Sequence, residues 1–397
     1  MRRWIASISL SVVALAATVF AAPTGAAAAP ESPSAQRLQA DQLVALGQLR
    51  ELVGRHPERY AGLSTRGPDR ATVHIVGSQF AAAAAELPDL RRLATSAGIE
   101  VSVDYEKYSM LELRRIQDSI PVEGPFAGED AGLSMWGVNP DTNTLDVGVV
   151  DVTPELVAKA KDAYGDKVAV SRQPRPKHGV AKPTDMLLAS GRRTDTFPYY
   201  GGDMIDVVGS SLCSSGFTVT NLYGTRYALT AGHCGPENAR VETNNQTYFG
   251  TVYFRRLGGG NFDNALVGGV DYDGRIWVGG PFTTTWMPVH SASDSCTGCL
   301  VNFDGAFTGE ATGRLVADEF CVHFDTGDLS CGLQRAVSAN GGQLCQAGDS
   351  GGPIFAYDGR GGVIAVGIFT GYWTTTDCIY TRLPPILSYW RSTITTD

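Results

Sequence analysis

The sequence predicts a two-part chain, an α+β first part followed by an all-β second part, and three observations point to that division. The period of the apolar residues changes near Pro198, from alternating helix and strand patterns to short strands separated by Gly, Asn and Asp clusters. All eight cysteines fall between Cys213 and Cys378, whereas the last lysine is Lys182. From Pro198 onward there are 10 arginines and no lysine against 18 acids, while the first 197 residues are close to neutral, with 22 bases and 23 acids. A chain of 397 residues, 43% of them hydrophobic, has room for about two to three domains with cores of their own. An acidic, lysine-free half lacks the basic patches that nucleic acids and anionic membranes require, so neither is expected as a partner.

Residues 1–29 have the layout of a secretory signal peptide. Arg2 and Arg3 supply the positive start, residues 4–20 the apolar run, and an Ala-rich end the small residues, with cleavage expected near Ala28 or Ala29. The run is short for a membrane anchor, and no later segment is long and apolar enough to span a bilayer. Export also accounts for an even number of cysteines, which are expected as disulfides.

Residues 30–193 follow without a cysteine. Residues 36–53 read as an amphipathic helix, with Leu38, Leu43, Leu46 and Leu49 near one face. A strand at 71–76, a helix at 80–97 and a strand at 99–105 form one strand-helix-strand unit. A strand at 144–150, a helix at 153–164 capped by Thr153 and a strand at 167–171 form a second. Together they predict a small α+β domain with helices on one face of a sheet, and no clustered His, Cys or carboxylates mark chemistry there. The stretch from Arg172 to Arg193 is basic and rich in Pro and Gly, which predicts an exposed linker processed after position 183 and before Gly202.

The second part, 198–397, shows short strands at 217–222, 227–230, 246–254, 265–270, 362–368 and 379–382, and a closing helix at 384–393. That texture belongs to sandwiches and barrels. Its chemistry centres on Gly348-Asp349-Ser350-Gly351-Gly352-Pro353. A serine hydroxyl becomes an effective nucleophile when a base takes its proton, and attack on an amide leaves negative charge on the carbonyl oxygen. Glycines let backbone amides approach, so the N–H groups of Gly348 and Ser350 are expected to hold that oxyanion. The base is expected at His233, in Thr230-Ala231-Gly232-His233-Cys234; His290 and His323 stand in no comparable setting. A base in turn needs a carboxylate that fixes its tautomer and stabilises its charge. Asp263 is expected there, flanked by Phe262 and by Ala265-Leu266-Val267, whereas Asp271 and Asp273 lie in a turn-like Asp-Tyr-Asp-Gly run.

These three motifs, in the order His, Asp, Ser, resemble the signatures of the chymotrypsin-like serine proteases, and more narrowly the secreted bacterial streptogrisin and α-lytic protease group. The run Gly209-Ser210-Ser211-Leu212-Cys213-Ser214-Ser215-Gly216-Phe217 is similar to the opening of that group's catalytic domain, and Arg55-His56-Pro57 with Tyr60-Ala61-Gly62-Leu63 to its pro-region. The resemblance implies a pair of antiparallel β-barrels, 198–280 and 281–396, with His233 and Asp263 from the first and Ser350 from the second. It implies a secreted endopeptidase made as an inactive precursor, in which residues 30–193 are a pro-region that assists folding and then inhibits. The implied partners are protein or peptide substrates and the enzyme's own pro-region, with a monomeric enzyme and no metal or cofactor. Esterase action through the same residues is an alternative. So is a noncatalytic binding protein of the same shape, whose mark would be a lost triad member, and none is lost.

The resemblance also implies bridges Cys213–Cys234 and Cys345–Cys378. Asn302 stands where many relatives have a cysteine, which leaves Cys296, Cys299, Cys321 and Cys331 with three possible pairings. The local pairs Cys321–Cys331 and Cys296–Cys299 are expected, a zinc site being the competing use of the four. For specificity, the resemblance places Leu344, Phe369, Thr370 and Gly371 around the side chain before the scissile bond. No acid stands among residues 343–347, which disfavours cleavage after basic residues. Phe369 replaces the histidine of glutamate-specific relatives, and an apolar or medium-sized residue is expected instead.

Overall fold

The structure, a computed structural model, describes residues 32–128, 132–179, 181, 191–260 and 262–397. The expected signal peptide lies outside the described residues, as do positions 184–190 of the expected processing interval. Among the described residues no helix is long and apolar enough to cross a membrane.

The first helix, Pro33–Gly54, starts where the Ser32 hydroxyl accepts from the Ala35 amide and a proline occupies the first turn. Its buried Leu43, Leu46, Leu49 and Val53 pack against Val73, Ile75 and Leu90, while Leu38 remains exposed. Strand Tyr60–Thr65 runs antiparallel to Arg70–Val76, which runs parallel to Glu100–Glu106. The helix expected at 80–97 is broken into Phe80–Ala83 and Leu87–Ser96, the second with a proline in its first turn, where proline is tolerated. A second unit begins with helix Met110–Ser119, closed by a reciprocal cap between Ser109 and Glu112. Strands Leu133–Asn139 and Thr144–Val149 pair antiparallel; helix Pro154–Tyr164, capped by Thr153, then leads to Val168–Arg172, parallel to Thr144–Val149.

The two units do not share the single sheet that the sequence predicts. The first keeps a three-stranded sheet of its own. The second joins the sheet of the distant second part, where Leu133–Asn139 pairs with Gly309–His323 through Gly137 opposite Phe320 and Trp136 opposite Cys321. Half-buried charges link the first part to the second: Arg50 pairs with Asp294 and Asp318, which share a cluster with buried Arg382, itself paired with Asp294 and Glu319.

The second part forms two antiparallel β-barrels. One runs through Ser211–Ser214, Met204–Val207, Arg240–Thr243, Tyr248–Arg256, Asn264–Gly268, Arg226–Thr230 and Thr218–Asn221. Val207, Val241, Phe249 and Val267 are among the residues that fill it. The other contains Leu300–Gly305, Gly309–His323, Leu329–Ser338, Pro353–Tyr357, Val363–Thr374 and Asp377–Arg382. The division expected at 280/281 is crossed in both directions. Tyr199–Gly201 and Tyr272–Trp277 pair into the second sheet through Trp286–Ala292, and Ser392–Ile394 returns to the first sheet beside Thr218–Asn221. The closing helix therefore stops early, as Leu383–Trp390, with Arg391 turned left-handed after it. The cysteines pair as Cys213–Cys234, Cys296–Cys299, Cys321–Cys331 and Cys345–Cys378.

Candidate active site

Two neighbouring strands of the first barrel bring His233 and Asp263 together. Thr230 of Arg226–Thr230 lies opposite Ala265 of Asn264–Gly268, so the turn Gly232–Cys234 after one strand meets Asp263 just before the other. The Cys213–Cys234 disulfide ties that turn down. Asp263 is fully buried. One carboxylate oxygen accepts from the His233 amide at 3.0 Å, and the other lies 2.6 Å from His233 Nδ1. Burial alone would raise this carboxyl; the charge and hydrogen bond of His233 outweigh it and hold Asp263 below the usual range. Asp271 and Asp273 instead stand beside Arg226 and Arg275.

The second barrel supplies Ser350, whose Oγ lies 2.7 Å from His233 Nε2. Its turn is held from several sides. Buried Asp349 accepts from the amides of Phe307, Thr308 and Gln346 and from the Thr308 hydroxyl. Burial pushes the Asp349 carboxyl up, and these bonds work against that shift. The Ser214 amide donates to Ser350 O at 2.7 Å, and the Ser214 hydroxyl to Gly348 O at 2.9 Å. Gly348 has φ +96°, and a Cβ there would stand 2.6 Å from Phe307 Cγ, so this position needs glycine. Cys345–Cys378 braces the same loop. His290 pairs with Asp358, and His323 packs near Trp136, both outside this constellation.

The segment predicted to be an exposed linker lies in the cleft. Pro176, His178 and Gly179 are buried, as are Arg192 and Arg193 farther on. Lys177–His178 pairs antiparallel with Val363–Thr374, with His178 opposite Gly371 and Lys177 opposite Tyr372. The Gly179 amide donates to Thr370 O at 3.4 Å, and Gly179 O accepts from the Gly348 amide at 2.6 Å. Beyond, Ala181 and Leu212 exchange both backbone bonds. Phe369, Thr370 and Gly371 thus face this segment, whereas Leu344 packs behind, in the same buried cluster as Phe369. His178 is stacked between His233, at 4.1 Å, and Phe324, at 3.8 Å. Burial first, and the charge of His233 second, lower its pKa to about 4. His178, Gly179, Phe324 and Asp328 are the site residues that sequence reasoning missed. The signal available was Pro174 and Pro176, which hold a chain extended and ready to add a strand.

No family model matches the chain. It is 31% identical to serine protease 2 of Streptomyces fradiae over 179 residues, 43% of this chain and 92% of that protein. It is 30% identical to serine protease 1 of the same organism over 245 residues, 60% of this chain and 59% of that one. Glutamyl endopeptidase 2 of Streptomyces griseus is 30% identical over 167 residues, 41% of this chain and 80% of that one. Among solved structures, Thermobifida fusca protease A aligns with 50% of this chain and 98% of its own, at 23% identity and a TM-score of 0.41. Cellulomonas bogoriensis chymotrypsin aligns with 51% of this chain and 100% of its own, at 25% identity and a TM-score of 0.41. Paired β-barrels with a serine, a histidine and a carboxylate in their cleft define a class of hydrolases. Within it, the chain belongs to the chymotrypsin-like bacterial serine proteases and is a serine endopeptidase.

Proposed function

We propose that the protein is a secreted endopeptidase, made as an inactive precursor, that cleaves peptide bonds through an acyl-enzyme on Ser350. The observation that carries this reading is the continuous string from Asp263 through His233 to Ser350, at 2.6 and 2.7 Å. Ser350 Oγ attacks the carbonyl carbon while His233 Nε2 takes its proton. Negative charge develops on the carbonyl oxygen and is met by the Gly348 and Ser350 amides, of which the Gly348 amide already holds a backbone carbonyl, that of Gly179. Collapse breaks the C–N bond, and the leaving amine takes the proton from His233. Water then enters, gives its proton to His233, and releases the acid as the proton returns to Ser350. Asp263 remains ionised throughout and orients the imidazole.

The first part acts as a pro-region, because its stretch Lys177 to Gly179 fills the cleft that a substrate strand would occupy. A β-rich domain of nonlocal pairings folds slowly, so a covalently attached folding assistant suits it, and a high unfolding barrier suits a protease outside the cell. Export follows from the signal-like residues 1–29. The enzyme works as a monomer on protein or peptide substrates and needs no cofactor. Cleavage after basic residues is not proposed, since residues 343–347 carry no acid. The glutamate preference in one relative's name does not carry over either, because Phe369 offers no positive charge.

The acyl-enzyme is tested by partitioning. The processed enzyme is given an ester and an amide with the same acyl group, together with hydroxylamine. A common intermediate predicts the same ratio of acid to hydroxamate from both. Different ratios would contradict the mechanism.

A further inference from the structure

We propose that this protease cleaves after glycine preceded by histidine, and that it cuts its own chain on the carboxyl side of Gly179. The proposal rests on the reading of Ser350 as nucleophile. It starts from register: the Gly179 carbonyl oxygen takes the Gly348 amide, and the Gly179 amide bonds Thr370 O. The chain is gripped on both sides of that carbonyl, by Gly371 and Tyr372 before it and by Leu212 after it. This is the placement of a strand about to be cut.

At Gly179 the pocket has no room for a side chain. A Cβ there would overlap Phe369 Cε1 and stand 3.1 Å from Phe369 Cζ and 2.8 Å from Ser350 Oγ. The Gly179 φ lies outside the left-handed region, so the backbone would accept any residue and only the space excludes it. Phe369 cannot easily swing aside. It is 1% exposed, meets the Phe303 ring edge-on at 6.2 Å, and shares its cluster with Leu344 and Cys345. In place of the apolar or medium-sized residue expected from sequence, the pocket therefore selects glycine.

The residue before it is chosen by stacking. The His178 ring lies flat between His233 and Phe324, and its Nε2 stands 3.3 Å from an Asp328 carboxylate oxygen. A planar ring offers one face to each neighbour and brings a nitrogen near the carboxylate; an aliphatic chain offers neither. Lys177, next along, is exposed and is not selected.

Hydrolysis breaks the C–N bond of the Gly179 peptide, with water supplying the hydroxyl of the new carboxylate and a proton of the new amine. The mature chain then begins at Val180, ahead of the interval after position 183 that the sequence suggested. That start retains Arg192, which is fully buried, pairs with Asp304 at 2.7 Å and donates to Gly305 O. A cut just after Arg193 would sever this anchor from the body of the enzyme.

The test begins with the full chain, wild type and Ser350→Ala, read by intact mass and N-terminal sequencing. Wild type is expected to yield a fragment starting at Val180, and Ser350→Ala to stay uncut. The processed enzyme is then given the peptides Pro-Lys-His-Xaa-Val-Ala with Xaa Gly, Ala, Leu or Glu. Glycine is expected to exceed alanine in kcat/KM by about 10-fold or more, with Leu and Glu lower still. Replacing the peptide's histidine by alanine should lower kcat/KM several-fold, and Phe369→Ala should shift preference towards Ala and Leu. Fluorophosphonate labelling of the same preparation separates the two readings. A labelled enzyme that prefers Leu or Glu, or that cuts itself elsewhere, overturns this proposal and leaves Ser350 as nucleophile. An unlabelled enzyme removes both.

Discussion

Asp263 and Gly348 show how much of the chemistry depends on single positions. Asp263 is fully buried, and both its carboxylate oxygens face His233. Asp263→Asn should keep the fold yet lower kcat by about 10⁴-fold, because the amide favours the wrong imidazole tautomer; a loss under tenfold would contradict the assigned role. Gly348→Ala places a methyl against Phe307 at a φ of +96°, which must move the amide that meets the carbonyl oxygen. A fall in kcat of about 10²–10³-fold is expected, with KM changed less. These residues were legible in the sequence because each sits inside a short motif whose neighbours serve the same task. His178 was not legible. Its role arises only when Phe324 and His233 close on its two faces, and nothing adjacent in sequence marks that meeting.

At the scale of elements, caps and periods read well and long-range pairings did not. Ser32, Ser109 and Thr153 each cap a helix where local chemistry favours it, Thr153 being the one expected from sequence. Strand Leu133–Asn139 was missed, and its partner Gly309–His323 lies in the other part of the chain. An alternating pattern states which face is buried but not which strand lies alongside. Trp136 is the anchor of that pairing, 1% exposed and packed with Leu145, Val147 and Cys321. Trp136→Ala, made in the uncut Ser350→Ala chain, should lower stability by about 3–5 kcal/mol. The denaturant midpoint reports this, and an unchanged midpoint would show that the joint sheet contributes little.

For the molecule as a whole, the composition break near Pro198 marked two parts but not how closely they interlock. Arg50 of the first helix reaches Asp294 and Asp318, while Arg382 holds Asp294 and Glu319, and Arg114 also reaches Glu319. Burial opposes ionisation of Glu319, but Arg382, Arg114 and Arg50 outweigh it and lower its pKa to about 2. Asp294 is likewise held below the usual range against its burial, whereas burial raises Asp318. Groups lowered in the folded state stabilise it above the unfolded carboxylate value and lose that contribution as pH falls through the folded value. Arg382 lies in the second part and keeps its pairs when the parts separate, and the raised Asp318 works in the opposite direction, so only the share from Arg114 and Arg50 links pH to binding. After self-cleavage, the N-terminal region should therefore stay bound near neutrality and loosen modestly as pH falls from about 4 towards 2. Size-exclusion chromatography across that range checks this, and release that grows as pH rises from 4 to 7 would contradict it. The second part expressed alone should refold poorly unless the first part is supplied in trans; efficient unaided refolding would remove the folding role.

The central claim is that Ser350 is the nucleophile, and covalent mapping tests it most directly. The processed enzyme is treated with a fluorophosphonate, digested and sequenced by mass spectrometry. One adduct per molecule is expected, on the peptide containing Gly348 to Pro353 and at Ser350, and it should be absent when His233 is replaced by alanine. An adduct at another residue, or none on enzyme that still cleaves peptides, would contradict the account.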